Sequence, residues 1–269
     1  MNEATNTDLE NEEKAVKERL ASIKRVILVL SGKGGVGKST IAANLAVSLA
    51  REGLNVGLLD IDFHGPSIPG ILGLSAEKVQ SNNGHMAPVE FTPNLKVMSI
   101  GFMLRDQDDA VIWRGPMKFG IIKQFLGDVE WGELDCLVID SPPGTGDEPL
   151  SVAQLVQEKA EGIIVTTPQK VSVDDVRKSV TFCTSVKLPI TGIIENMSGF
   201  VCPGCGEKYD IFSSGGGQAL AEDMKIPYLG SIPIDPGVVI SGDTGSPFAT
   251  GQESSPMSEA FELIFKKIV

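Results

Sequence analysis

The chain has 269 residues, 42% hydrophobic and 22% charged, ordinary globular proportions that supply a sizeable core and exclude a disordered, collagen-like or coiled-coil organisation. A formal net charge of −12 opposes non-specific adhesion to nucleic acid or anionic lipid, so neither is expected as a partner. No run approaches the roughly 18 apolar residues that span a bilayer, and the opening MNEATNTDLENEEKAVKERL lacks the apolar centre of a signal peptide, so a cytoplasmic location is expected. Residues 1–24 read as a polar tail running into a short helix with a solvated Glu/Lys face, and residues 25–269 as one domain. Within that domain apolar, β-branched runs alternate with helical patterns. In chain order they are strand VILVLS (26–31), helix STIAANLAVSLARE (39–52), strand NVGLLD (55–60), strand LKVMSI (95–100) and helix GPMKFGIIKQFL (115–126). Strand LDCLVID (134–140), helix EPLSVAQLVQEK (148–159), strand GIIVTTP (162–168), helix VSVDDVRKSVTFCTSV (171–186), strand ITGIIENM (190–197) and strand IPYLGSIP (226–233) follow. Residues 75–94 are turn-rich and read as a surface excursion, and the C-terminal SEAFELIFKKIV reads as a helix packed on the sheet. Strands alternating with helices predict a three-layer α/β/α fold around a mostly parallel sheet, with ligands at the carboxyl ends of the strands.

Gly32-Lys33-Gly34-Gly35-Val36-Gly37-Lys38-Ser39 fits G-x-x-x-x-G-K-[ST] between a strand and a helix, the context in which this pattern cradles phosphate. Glycines let successive amides turn inward, the helix presents its N-terminal amides as far as Thr40, Lys38 meets the outer phosphates and Ser39 offers a hydroxyl to Mg²⁺. Lys33 is surplus to that pattern. A magnesium nucleotide also needs carboxylates from neighbouring strand ends. Asp140, closing LDCLVID, is assigned with Ser39 to Mg²⁺; Asp60 stands one layer further out, and Asp62 is placed to orient an attacking water.

Cys202 and Cys205 lie in VCPGCGEKYDIF, two thiols aimed at one point across a Pro-Gly turn, as a short insertion near residues 200–208. One chain supplies half a four-thiolate site. Two chains related by a two-fold axis would supply a tetrahedral zinc or a four-iron four-sulfur cluster, while a redox dithiol and a plain structural turn remain alternatives. Cys136 and Cys183 read as small core hydrophobes, and His64 and His85 as surface histidines.

KGGVGKST, LLDIDFHGPS, WRGPM (113–117), LVIDSPPGTGD, ENMSGFVCPGCG and SIPID together, in this order, resemble the Mrp/ApbC family of P-loop ATPases, iron–sulfur cluster carriers related to MinD, ParA and the nitrogenase iron protein. The resemblance runs from about Arg25 to the C-terminus. It departs from longer relatives in having no cysteine before Cys136, and the short tail leads us to expect the minimal form without an added N-terminal domain. The resemblance implies that Lys33 is the early lysine of a deviant Walker A loop and reaches the partner subunit's nucleotide, making hydrolysis depend on a homodimer. It further implies that Asn196 reads the adenine edge while Pro233 to Asp235 closes over the base, and that the metal at Cys202 and Cys205 is a bridging [4Fe-4S] cluster delivered to apo iron–sulfur proteins. Lys33, Lys38 and Asp62 are then the catalytic set of a slow ATPase. A MinD- or ParA-type positioning or partitioning ATPase is the alternative; it needs no CPGC pair and is poorly served by acidic charge, although an apolar face on the C-terminal helix would suit it.

Overall fold

The computed structural model describes residues 14–82, 84–104, 114–156, 159–250 and 255–269. Residues 1–13 of the polar tail and helix expected over 1–24, Trp113 of WRGPM and residues 157 and 158 of the expected helix 148–159 lie outside the described residues.

A helix over 14–21, α1, buries Val16 and Leu20, and its last carbonyls are taken by the Lys159 ammonium, which donates to Leu20 O (2.7 Å) and Ala21 O (3.3 Å) and also to Ile23 O of the following strand (2.7 Å). Strand β1 (Ile23–Ser31) follows. Its side chains alternate between two hydrophobic clusters, Val26, Leu28 and Leu30 in one and Ile27 and Val29 in the other, as the two-residue period of a doubly covered strand requires. The remaining strands are β2 (Val56–Asp60), β3 (Gln80–Asn82), β4 (His85–Ala87), β5 (Val89–Thr92), β6 (Leu95–Ser99), β7 (Leu134–Asp140), β8 (Ala160–Thr166), β9 (Ile190–Glu195), β10 (Phe200–Val201), β11 (Lys208–Tyr209) and β12 (Tyr228–Ser231). Eight of them form the central sheet in the order β12-β9-β8-β1-β7-β2-β6-β5, parallel throughout except for β5 on β6. The helices are α2 (Lys38–Arg51), α3 (Ile68–Ile71), α4 (Gly115–Gly127), α5 (Asp147–Val156), α6 (Lys170–Ser185), α7 (Gly216–Met224), α8 (Pro236–Asp243) and α9 (Pro256–Ile268). Helices cover both faces of a mostly parallel sheet, the three-layer α/β/α fold expected from the alternation.

Three local readings change. Strand β1 begins at Ile23 because Lys24 and Arg25 are held on the sheet by Asp135 of β7 and Glu161 of β8, so charge concealed the first residues of the strand. The turn-rich stretch 75–94 contains a β3–β4 hairpin and β5, which forms the antiparallel sheet edge; Pro88 and Pro93 confine β5 to four residues, too few for a period-two signal. Helices α3, α7 and α8 are additional to those read from periodicity. At the C-terminus, Ser255 and Ser258 form a reciprocal cap for α9, whose Met257, Phe261, Ile264, Phe265 and Ile268 enter the core, a helix packed on the sheet as expected.

Candidate functional site

Strand β1 ends at Ser31 and α2 begins at Lys38, so the loop Gly32–Gly37 opens at the carboxyl edge of the sheet's centre. Two of its glycines are required by contact. A Cβ on Gly32 would lie 2.6 Å from the Asp175 carbonyl carbon, and one on Gly37, where φ is 83°, would lie 2.2 Å from Asn196 Nδ2. The Ser31 carbonyl accepts from Gly144 N at 2.8 Å, tying the loop to the segment after β7. Lys33, Lys38, Ser39, Thr40, Asp62 and Pro143 are among the walls of a cleft of ≈ 330 Å³ over this loop.

Beneath the cleft, Asp60 and Asp140 stand opposite each other at the ends of β2 and β7, both fully buried. Burial, and then the charge of Asp140, pushes the Asp60 carboxyl up to about 8. Asp140 is also raised by burial, against the pull of Lys38 and the Ser39 hydroxyl. The Asp60 oxygens are occupied, accepting from Asp62 N (3.0 Å), the Ser99 hydroxyl (2.9 Å) and Ile68 N (3.4 Å). Asp140 Oδ1 accepts from Lys38 Nζ at 2.5 Å, but Asp140 Oδ2 has no partner among the described residues, and neither does the adjacent Ser141 hydroxyl. A buried carboxylate oxygen without a donor, beside the Ser39 hydroxyl, is a hard oxygen donor set suited to Mg²⁺. Asp62 is half-buried, and its Oδ1 accepts from His64 N (3.2 Å) and Gly65 N (3.3 Å), holding its turn against the cleft.

The remaining candidates fall beside the loop. Asn196, at the end of β9, donates its amide to Val36 O at 2.9 Å and receives no wall of the cleft. The segment after β12 runs alongside it: Ile232 N bonds Glu195 O and Ile234 N bonds Gly199 O, each at 2.8 Å. Pro233 lies between those two contacts, and Asp235 caps α8 by accepting from Gly237 N at 2.8 Å. Glu195 was not among the sequence candidates. It is fully buried and accepts from Gly215 N (2.9 Å), Gly217 N and the Ser198 hydroxyl (2.5 Å), pinning both ends of the excursion that carries the cysteines.

That excursion contains the β10–β11 hairpin, turned by Cys202 N to Glu207 O (2.9 Å) and Gly206 N to Cys202 O (2.8 Å). The Cys202 thiol is held below its usual range by the backbone amides of Cys205 and Gly204 and by the Cys205 thiol. Cys136 and Cys183 are buried, as expected, and burial pushes each thiol up to about 12. Among the described residues no group of three or more His, Cys, Asp or Glu could hold a metal, so this pair is a two-ligand set in one chain. His64 is exposed, yet it touches Lys118, a contact between residues far apart in sequence that no local pattern signals.

A glycine-rich loop between the central parallel strand and its helix, with a lysine paired to a buried strand-end carboxylate, defines the chain as a P-loop nucleotide-binding protein. The family model described as ParA, NUBPL iron-transfer P-loop NTPase, matches residues 22–269. The chain is 48% identical over 261 residues to a cytosolic Fe-S cluster assembly factor NUBP2 homolog from Trichoplax adhaerens, covering 96% of this chain and 98% of that protein. Among solved structures it resembles a nucleotide-binding protein from Archaeoglobus fulgidus in complex with ADP and containing cobalt, with TM-score 0.79 and 42% identity over 93% of this chain and 96% of that one. The MinD cell division ATPase of Pyrococcus furiosus shares the fold at TM-score 0.62 and 24% identity, over 91% of this chain and 98% of that one. The chain belongs to the ParA/NUBPL family of iron-transfer P-loop NTPases, as its motifs imply.

Proposed function

We propose that the chain is a homodimeric, Mg²⁺-dependent ATPase that carries a [4Fe-4S] cluster between Cys202 and Cys205 of two copies and delivers it to apo-proteins in the cytosol, with residues 25–269 acting as one domain. One observation carries this reading: a two-thiol turn with one thiol held below its usual range, in a chain whose described residues assemble no third ligand, on the same polypeptide as a phosphate loop. Two thiolates leave a cluster half-ligated, and a second copy completes the set. Tyr209, Ile211 and Phe212 are exposed just beyond the pair, a composition that suits closure against another protein.

In the nucleotide site the amides of Gly34 to Ser39 cradle phosphate, Lys38 neutralises the outer phosphates, and Asp62 orients the attacking water. Mg²⁺, held by the Ser39 hydroxyl and Asp140 Oδ2, would supply further neutralisation of the triphosphate. Asp60 fixes the Asp62 backbone through the bond to Asp62 N. The Lys33 ammonium has no ion-pair partner among the described residues and lines the cleft, which suits a cation that serves the partner's nucleotide in the transition state. Asn196, Pro233 and Asp235 are proposed at the base. The rival positioning ATPase would use α9 as a lipid anchor, but the apolar face of α9 is taken up by the core.

Anaerobic purification followed by iron and sulfide assay and determination of mass tests this reading. About four irons per two chains is expected, lost in Cys202→Ala and in Cys205→Ala while ATP binding persists. Four irons on a monomer, or transfer undiminished in the double cysteine variant, would remove the carrier role.

A further inference from the structure

Lys118 lies in the first turn of α4, outside the walls of the cleft, yet it joins the two loops that define it. Its Nζ donates to Glu148 Oε1 at 2.6 Å and lies 3.1 Å from His64 Nε2 and 5.7 Å from the centre of the Phe63 ring. Lys118 and Glu148 side chains are each 14% exposed, so the ion pair is largely removed from water and its geometry is held. His64 belongs to the turn after β2 whose amides hold Asp62: His64 N and Gly65 N both donate to Asp62 Oδ1. Glu148 opens α5, directly after the segment that begins at Asp140, lines the cleft with Pro143 and is tied to the phosphate loop through Gly144 N. The ammonium therefore bridges the loop of the water-orienting carboxylate and the loop following the metal-binding carboxylate, from a third element.

We infer that Lys118 is a positioning residue for hydrolysis: through His64 and Glu148 it holds the β2 loop and the β7–α5 loop in one relative arrangement, setting Asp62 against the phosphate cradle. The inference rests on the ATPase reading above. A carboxylate that orients water acts over a fraction of an ångström, whereas phosphate binding by loop amides and Lys38 tolerates such a shift, so loss of Lys118 acts on turnover rather than on affinity. Glu148 without Lys118 would keep its place at the α5 N-terminus but lose the ammonium that joins it to His64.

The test compares full-length wild type, Lys118→Ala, Lys118→Arg, Glu148→Gln and Asp62→Asn. Lys118→Ala is expected to lower kcat about tenfold with ATP affinity within about twofold of wild type. Lys118→Arg, which presents a cation to the same carboxylate, is expected to recover most of that loss, and Lys118→Ala with Glu148→Gln to be no slower than the slower single variant, because both remove one contact. Amide exchange at His64 and Gly65 is expected to accelerate in Lys118→Ala, a readout independent of turnover. If alanine prevents folding, Lys118→Met, which keeps the aliphatic stem beside Phe63, carries the same expectations. Unchanged kcat in Lys118→Ala beside an inactive Asp62→Asn, additive losses in the double variant, or unchanged exchange at His64 and Gly65 would each overturn the inference. Full turnover in Asp62→Asn would instead remove the water-orienting role of Asp62, and no turnover in wild type would remove the ATPase reading; in either case the exchange result decides whether Lys118 holds the loop.

Discussion

Lys38 serves two states of the molecule. In the nucleotide-free chain its ammonium is the partner of a fully buried carboxylate, Asp140, which itself faces the buried Asp60 across two strands. Removing it leaves an uncompensated buried charge, a change that costs about 3–5 kcal/mol in comparable pairs. Lys38→Ala is therefore expected to lose both ATP affinity, by more than about tenfold, and thermal stability. Adding Asp140→Asn should restore stability without restoring binding. Calorimetry and melting curves on the three proteins check this, and a Lys38→Ala chain as stable as wild type would contradict it. The carboxyl pair also sets a pH dependence. Asp60 is raised from 3.8 to about 8, so between those values the folded chain holds a proton that the unfolded chain has released. Stability of the nucleotide-free protein is thus full below pH about 4 as far as this group is concerned and falls as pH rises towards about 8, with Asp140 shifted in the same direction. Urea midpoints are expected to decline between pH 5 and 8.5, and Asp60→Asn should flatten the decline; parallel profiles for the two proteins would refute the assignment.

Elements place these residues, and they differ in how plainly they could be read. β7 was legible residue for residue as LDCLVID, because a doubly covered strand is a continuous apolar run closed by a carboxylate. β5 was not, since four residues between prolines carry no period. The cysteine hairpin lies between these cases: the Pro-Gly turn predicts convergent thiols, but its anchoring by Glu195 to the start of α7 depends on contacts spanning about twenty residues of excursion. This element separates the four thiols chemically. At pH 7.5, iodoacetamide is expected to modify Cys202 and Cys205 in the metal-free native protein and to leave Cys136 and Cys183 unmodified until denaturant is added, as mass spectrometry of digests would report. Cys136→Ala and Cys183→Ala should each cost packing only, about 1 kcal/mol. Native labelling of Cys183 ahead of Cys205 would contradict the burial of Cys183 in the core.

At the scale of the whole molecule, the proposed dimer makes Lys33 and Asp62 separable. Lys33→Ala is expected to bind ATP nearly as wild type does and to turn over slowly, the lost contact belonging to the transition state. If Lys33 acts on the partner's nucleotide and Asp62 on its own, mixing Lys33→Ala with Asp62→Ala chains yields mixed dimers in which one site carries both defects and the other neither. Activity should then rise above that of either parent. Mixed dimers verified by mass that stay inactive would place Lys33 on its own chain's nucleotide, and the proposal for the second subunit would fall.

By itself the sequence determined the α/β/α class, the phosphate loop, the strand-end carboxylates, the cysteine turn and membership of the family, because each rests on a local pattern: periodicity, a glycine spacing, a two-residue gap. Only the tertiary structure decided that the Asp140 carboxylate has one oxygen paired to Lys38 and one without a donor among the described residues, that Asp60 is buried against it, that Asn196 reaches the phosphate loop and that Lys118 ties His64 to Glu148. These are contacts between strand ends and loops distant along the chain, and the protonation and pairing they impose arise from burial, which no window of sequence contains.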